Sequence, residues 1–200
     1  MTITYVVGKS LYVNVTNKCT NMCLFCVRNH YDSVNGKDVL WLEREPTKEE
    51  ILEDILTYRL SDYKDLCFCG FGEPTYRIHD ILWVTKKLKE KRNIIIRLNT
   101  NGHANKINKE DVTPLFAGHI DVVSISLNQK NAEEYDKLCK SKYGPSAFDE
   151  TIDFTKKVKQ YVPRVILSVV DIIKPDDIEA CRKIAADLGV EFRVREMIQD

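Results

Sequence analysis

The amino-acid sequence predicts a parallel α/β domain, and three observations carry that prediction. Short apolar runs of period two alternate with longer runs of helical period along the whole chain. The links between them are short, and no low-complexity linker interrupts the order. Two of the runs end in turns that carry chemistry, Gly70-Phe71-Gly72-Glu73-Pro74 and Leu98-Asn99-Thr100-Asn101-Gly102. Crossovers between parallel strands are right-handed, which winds the strands one way and leaves the helices outside. Two hundred residues fit a single domain spanning 1–200.

Each element follows from a local pattern. Runs at 3–7 and 11–17, joined through Gly8-Lys9-Ser10, predict an N-terminal β-hairpin. Residues 27–46 have no clear period and contain the turn signal Asn35-Gly36. A connection that long is expected to border the functional site. Thr47-Lys48-Glu49-Glu50 is a capping box, and the helix it opens has Ile51, Leu52, Ile55 and Leu56 on its apolar face. A strand at 66–70 precedes an amphipathic helix at 80–91. The next strand, 93–98, stops before Asn101-Gly102. A short helix at 109–116 leads into a strand at 122–128. Helices at 131–139 and 147–160 are separated by Tyr143-Gly144-Pro145. A strand at 164–172 is followed by a helix that Pro175-Asp176-Asp177 begins and Gly189 ends. The last strand is 191–197. Six strands of βα type are too few for a closed eight-stranded barrel.

Side chains alternate across a strand, so each run also predicts which residues point where. Ser124, Ser126 and Asn128 alternate with Val123, Ile125 and Leu127. Helices cover the outer face and take the apolar set, leaving the polar set to the lumen. The same parity turns Asn14 and Thr16 inward, with Arg97, Asn99 and Asn101, Ser168, and Glu191, Arg193 and Arg195. A lumen of hydroxyls, amides and guanidiniums is costly to bury dry, which points to a binding cavity.

Cys19-Thr20-Asn21-Met22-Cys23-Leu24-Phe25-Cys26 leaves the first lumenal strand as a tight loop of three thiols. Thiolates suit iron–sulfur clusters, zinc or copper(I). Three protein ligands leave one metal position open, and an open position implies chemistry at the metal. Two other readings use the same residues. Cys19, Cys23, Cys26 and His30 have the composition of a structural zinc set in an interaction module. An electron carrier needs a fourth thiolate, which Cys67 or Cys69 supplies only if their strand end adjoins the loop. Cys67, Cys69, Cys139 and Cys181 otherwise read as reduced, packed thiols.

The cysteine spacing, together with Phe25 and the two later turns in the same order, resembles the radical S-adenosylmethionine (SAM) enzymes. That resemblance implies a partial (β/α)6 TIM-like barrel with the cofactor at the C-terminal ends of the strands. It implies that Cys19, Cys23 and Cys26 hold a [4Fe–4S] cluster whose fourth iron is chelated by SAM, and that Phe25 packs near the adenine. It assigns the Gly70-Phe71-Gly72-Glu73 turn to the methionyl ammonium of SAM, with Phe71 in place of the family's first glycine. Asn101, Ser126 and Asn128 become candidates for ribose or carboxylate contacts, and Ser168 joins them on the lumenal side. Arg97, Arg193 and Arg195 are the candidates for holding an anionic substrate, since guanidiniums keep their charge when buried. An internal network with Glu191 and Glu73 is the alternative for those arginines.

The activity implied is reductive cleavage of SAM to methionine and a 5′-deoxyadenosyl radical, which abstracts hydrogen from a polar or anionic substrate. A reduced flavodoxin or ferredoxin is the electron donor that chemistry needs. The run from Leu11 to Cys19 and the stretch Phe25-Cys26-Val27-Arg28 resemble the radical SAM proteins linked by genomic association to TatD-type nucleases. An activating enzyme that places a glycyl radical on a partner is the alternative within the same chemistry. Composition narrows the rest. Thirty basic and thirty acidic residues give a formal charge of zero, against sequence-independent nucleic-acid binding. No apolar run approaches a membrane span and no signal-peptide pattern opens the chain, which predicts a cytoplasmic protein. No second cysteine cluster follows near the C-terminus, so no auxiliary cluster is expected.

Overall fold

The computed structural model describes residues 1–34 and 36–197. Seven strands form one sheet: β1 (Thr4–Val7), β2 (Ser10–Val13), β3 (Asp65–Phe68), β4 (Ile96–Thr100), β5 (Val122–Ser126), β6 (Arg164–Val170) and β7 (Glu191–Arg195). They lie in sequence order, β1 antiparallel to β2 and every later neighbour parallel. Six helices accompany them: α1 (Lys48–Leu56), α2 (Ile78–Lys89), α3 (Ala104–Asn108), α4 (Ala132–Cys139), α5 (Ser146–Val158) and α6 (Pro175–Asp187). The fold is a partial TIM-like barrel, with β2 to β7 as its parallel strands and the β1–β2 hairpin closing one edge.

Strand parity decides the layers. Leu11, Val13, Leu66, Phe68, Leu98 and Ile125 share one core with Ile51 and Ile55 of α1, Ile81 and Leu88 of α2, and Phe154 of α5. The alternate residues of the same strands face the lumen, so the predicted division into an apolar outer face and a polar inner one holds. The hairpin is tighter than its sequence suggests: Val7 pairs with Ser10 across Gly8 and Lys9, and Gly8 takes a left-handed φ of 58°. The capping box is present in both halves, Glu50 N–H to the Thr47 side chain and Thr47 N–H to the Glu50 carboxylate.

Four expectations shift. β2 ends at Val13 rather than 17, and the Asn14 side chain beyond it donates to Leu40 O at 2.6 Å. β4 begins at Ile96, not 93; Asp121 accepts from Ile96 N–H at 2.7 Å and Ile95 is left exposed. The helix expected at 109–116 is displaced: α3 (Ala104–Asn108) lies just before that span, and only a 3-10 turn forms within it. α3 stops where Lys109 turns left-handed (φ 59°), and a 3-10 turn, Thr113–Phe116, follows with Asp111 capping Thr113. Leu56, expected on the apolar face of α1, is exposed, leaving Ile51 and Ile55 as its buried stripe. Asn35 of the predicted Asn35-Gly36 turn lies outside the described residues. The long connection from 27 to 46 does border the lumen's mouth: Asn14 and Asn17 donate to Leu40 O and Leu42 O.

Candidate functional site

The cysteine loop crosses the C-terminal mouth of the barrel, held there by residues from four elements. Met22 N–H and Leu24 N–H donate to Cys139 O and Leu138 O at the end of α4, both at 3.0 Å. Lys142 N–H returns a bond to Thr20 O at 2.8 Å. The Arg28 guanidinium donates to the carbonyls of Asn17, Asn21 and Phe71, tying both ends of the loop to the β3 tip. Beneath the loop lies a buried polar chain. Asn101 Nδ2 donates to Thr20 Oγ1 at 2.7 Å, Thr20 Oγ1 meets His103 Nδ1 at 2.9 Å, and His103 Nε2 lies 3.1 Å from Ala147 O. Asn21 Nδ2 donates to Tyr135 OH at 3.0 Å. Burial drives His103 down to about 4, with Lys106 and Lys142 adding to the effect, so its ring is neutral near pH 7.

Cys19 Sγ accepts from Asn21 N–H at 3.4 Å, and Asn101 Nδ2 stands 3.9 Å away. Burial pushes its thiol up to about 12, with Glu73 adding to the rise. Hydrogen bonding to Cys139 and burial raise Cys23 far more. Burial raises Cys26. All three are therefore protonated thiols as folded, and a cation is what would deprotonate them. Among the described residues no three His, Cys, Asp or Glu side chains converge closely enough to hold one metal ion. Cys23 lies beside Cys139 and packs with Tyr135 and Phe25. As a donor set the three thiols nevertheless fit an iron–sulfur cluster. They share one braced loop, and Cys23 lies near enough to both Cys19 and Cys26 to raise their proton affinity. His30 is exposed, its ring beside Tyr31.

The Gly70-to-Glu73 turn packs closely against the root of the cysteine loop. A Cβ on Gly72 would stand 2.2 Å from Thr16 O and 2.7 Å from Lys18 O, and one on Gly70 would overlap Asn14. These glycines serve the approach of the β3 tip to the root of the cysteine loop, chain against chain. Glu73 is buried and already engaged: Oε1 accepts from Thr75 N, Thr75 Oγ1 and Thr100 Oγ1, and Oε2 from Asn101 N at 2.7 Å. Burial raises its pKa and those donors oppose the rise. The carboxylate thus locks the β3 and β4 tips together.

The lumenal candidates separate by partner. Arg97 is answered internally by Asp65 at 2.9 Å, Asn99 at 3.0 Å and Tyr12, whose ring it also covers. Burial opposes its charge, but Cys67, Asp65 and Tyr12 more than offset that and raise its pKa. Arg193 is exposed on β7, where the sheet ends. Glu191 pairs with Arg164 through two 2.7 Å bonds and is reached by the charge of Arg193, but does not pair with Arg195. Arg195 stands apart. Its Nη2 reaches only Ser126 Oγ (3.4 Å) and Asn128 Oδ1 (3.5 Å), and its buried Nε has no partner. Among the described residues no carboxylate pairs with it, and burial lowers its pKa. Ser168 donates to Ile125 O at 3.2 Å, Asn101 braces the cysteine loop, and Phe25 packs on Tyr135 and Cys139.

Sequence reasoning missed Thr20, Arg28, His103, Tyr135 and the surroundings of Cys69. Thr20 and Arg28 lie within or beside the cysteine motif, and His103 directly follows Asn101-Gly102. Proximity to a motif was the available signal; nothing in their spacing reveals the shared network.

Comparison with known proteins accords with this geometry. Residues 13–188 match the model of the Radical SAM superfamily. The chain is 30% identical over 189 residues to a protein described as a probable GTP 3′,8-cyclase of Methanocaldococcus jannaschii, covering 91% of this chain and 58% of that relative's length. A radical SAM methyltransferase from Sphaerobacter thermophilus shares the fold with a TM-score of 0.62 at 15% identity, over 96% of this chain and 68% of that one. Streptococcus suis SuiB, solved bound to S-adenosylmethionine, does so with a TM-score of 0.62 at 18% identity, over 94% and 38%. No helix among the described residues is long and apolar enough to cross a membrane. With that family match spanning the barrel from β2 to the end of α6, the chain belongs to the radical SAM superfamily, whose members are enzymes that use a [4Fe–4S] cluster and SAM.

Proposed function

We propose that Cys19, Cys23 and Cys26 hold a [4Fe–4S] cluster at the mouth of the barrel, with SAM bound beside it and an anionic substrate drawn into the lumen by Arg195. When bound, the cluster and SAM supply the radical chemistry, cleavage of SAM to methionine and a 5′-deoxyadenosyl radical that abstracts hydrogen from the substrate. The observation that carries this reading is the three thiols on one loop, braced from below by Asn101, Thr20 and His103 and opening onto the lumen. Cys23 joins the ligand set by turning from Cys139. The turn at Phe71-Gly72-Glu73 meets SAM through its backbone, because the Glu73 oxygens are occupied. Ser126 and Asn128 orient Arg195; Arg193 guards the open edge of the lumen; Arg97, paired to Asp65, shapes its floor.

A one-electron donor of flavodoxin or ferredoxin type feeds the cluster. The run from Leu11 to Cys19 supports placing the chain with the radical SAM proteins associated with TatD-type nucleases, a functional link only. A half-buried guanidinium with a buried, unpartnered Nε and no carboxylate beside it supports a substrate bearing carboxylate or phosphate. The name of the Methanocaldococcus relative points to a substrate of that charge, GTP, for that protein. Anaerobic reconstitution tests the reading directly. Four irons per chain and reduction-dependent formation of 5′-deoxyadenosine from SAM are expected. Stoichiometric colourless zinc, or a cluster that leaves SAM intact, overturns it.

A further inference from the structure

Among the described residues, three other than glycine take a left-handed φ: Lys109, Lys140 and Asn128. Lys109 and Lys140 directly follow α3 and α4, where such a residue commonly ends a helix. Asn128 has no helix before it. It lies just past β5 at the mouth of the barrel, buried, with φ at 59°. Gln129 N–H donates back across it to Leu127 O at 2.7 Å, a three-residue turn that is rare and strained with a left-handed centre. Ser168 O holds the turn in place, accepting from Leu127 N–H at 2.9 Å and Asn128 N–H at 3.2 Å. Glycine would take this φ without strain. A buried side chain kept at such a position points to the contacts that the side chain makes.

The carboxamide has a contact at each of its two ends. Oδ1 accepts from Arg195 Nη2 at 3.5 Å, and Nδ2 donates to Cys139 Sγ at 3.6 Å. Cys139 is the last residue of α4 and part of the brace that holds the cysteine loop. Its carbonyl accepts from Met22 N–H and that of Leu138 from Leu24 N–H, both at 3.0 Å. Its side chain belongs to the packed cluster that Cys23 and Phe25 lie against. Asn128 thus stands between the guanidinium left open to an anion and the loop that carries the three thiols. A guanidinium is rigid and planar, and its Nε–H and one Nη2–H lie along the same edge. An oxyanion that takes the unpartnered Nε in bidentate fashion therefore also takes Nη2, the nitrogen in contact with Asn128.

We propose that Asn128 is a positioning residue that joins the anion seat at Arg195 to the cysteine loop; this rests on the reading above that Arg195 takes the substrate's anion. Edge-on binding of an oxyanion draws Nη2 away from Oδ1. The carboxamide then resettles against Cys139, and the backbone bonds at Met22 and Leu24 register the change. Linkage makes the effect mutual, so whatever fixes the cysteine loop also sets the guanidinium for its ligand.

Inorganic phosphate is the probe, titrated into the full metal-free chain against chloride at matched ionic strength. NMR follows the Arg195 Nε–H signal, assigned by its loss in Arg195→Lys, and the backbone amides of Met22 and Leu24. In the wild type both sets should move with one midpoint. Asn128→Gly suits the left-handed backbone, so the melting temperature should hold. In that variant Arg195 should still respond, while Met22 and Leu24 lose most of their shift. Asn128→Asp places a carboxylate against the guanidinium, and phosphate should bind Arg195 roughly tenfold more weakly or worse. Loop amides that stay still in the wild type, or move as far in Asn128→Gly, overturn the link and leave the anion seat intact. Undiminished phosphate binding in Asn128→Asp puts Asn128 out of reach of Arg195 and overturns it too. An Arg195 signal that phosphate never moves removes the anion seat itself, and the link with it.

Discussion

His103 is buried in the bracing network, and its proton is where the network's pH response lies. Its pKa falls from about 6.5 in the unfolded chain to about 4 in the fold. A lowered base contributes stability that is complete above the unfolded value and disappears as pH falls toward the folded one. Melting temperature should thus decline between pH 6.5 and 4, through a loss on the order of 3 kcal/mol if the whole shift is realised. His103→Gln should flatten that part of the profile; an unchanged slope would assign it to other groups. The cysteines give a second residue-level prediction. Cys19→Ala, Cys23→Ala and Cys26→Ala are each expected to lose the cluster, whereas Cys181→Ala, on the buried face of α6, should retain full iron and sulfide. Cys139 is a poorer control than its spacing suggests, because it contacts Cys23. Full cluster content in any of the first three removes that residue from the ligand set.

Two elements carry predictions of opposite kind. At the β3 tip, Gly72→Val forces a side chain into the backbone of Thr16 and Lys18. The cost should be roughly 2 kcal/mol or more, with reduced iron loading, because the root of the cysteine loop is displaced. A stable variant that loads iron normally and fails only to bind SAM would return this glycine to direct ligand approach. At α1, Thr47→Ala removes one half of the capping box and leaves Glu50 N–H unanswered. The expected loss is about 1 kcal/mol, or roughly 2–4 °C in melting temperature for a chain of this size. Iron loading should not change, since α1 lies outside the lumen. A shift in loading would mean that the 27–46 connection transmits strain from the helix to the loop.

At the scale of the whole molecule, the open sheet sets what the lumen can hold. Among the described residues β7 pairs only with β6, so Arg193 is left at an exposed edge while Arg195, one repeat nearer the mouth, is half-buried. Arg195→Met should lower the stimulation of 5′-deoxyadenosine formation by an anionic cell-extract fraction about tenfold or more relative to the uncoupled background. Parallel loss of both rates together with melting temperature would make Arg195 a structural residue.

What the sequence by itself determined is what neighbours along the chain decide. Period-two runs fixed which strand residues meet the helices, because a strand's side chains alternate whatever lies beyond them. The Thr47-to-Glu50 capping box and the spacing of Cys19, Cys23 and Cys26 are short-range patterns of the same sort. The helix expected at 109–116 was misplaced because α3 ends at one left-handed residue, Lys109, that no periodicity marks. Only the tertiary structure decided the partners. Thr20 meets His103 from 83 positions away, Arg195 meets Ser126 from 69, and Glu73 meets Asn101 from 28. Those meetings follow from the winding and register of parallel strands, which bring distant tips to one mouth. Whether an arginine there is already answered, as Arg97 is by Asp65, or left open like Arg195 depends on the opposing strand.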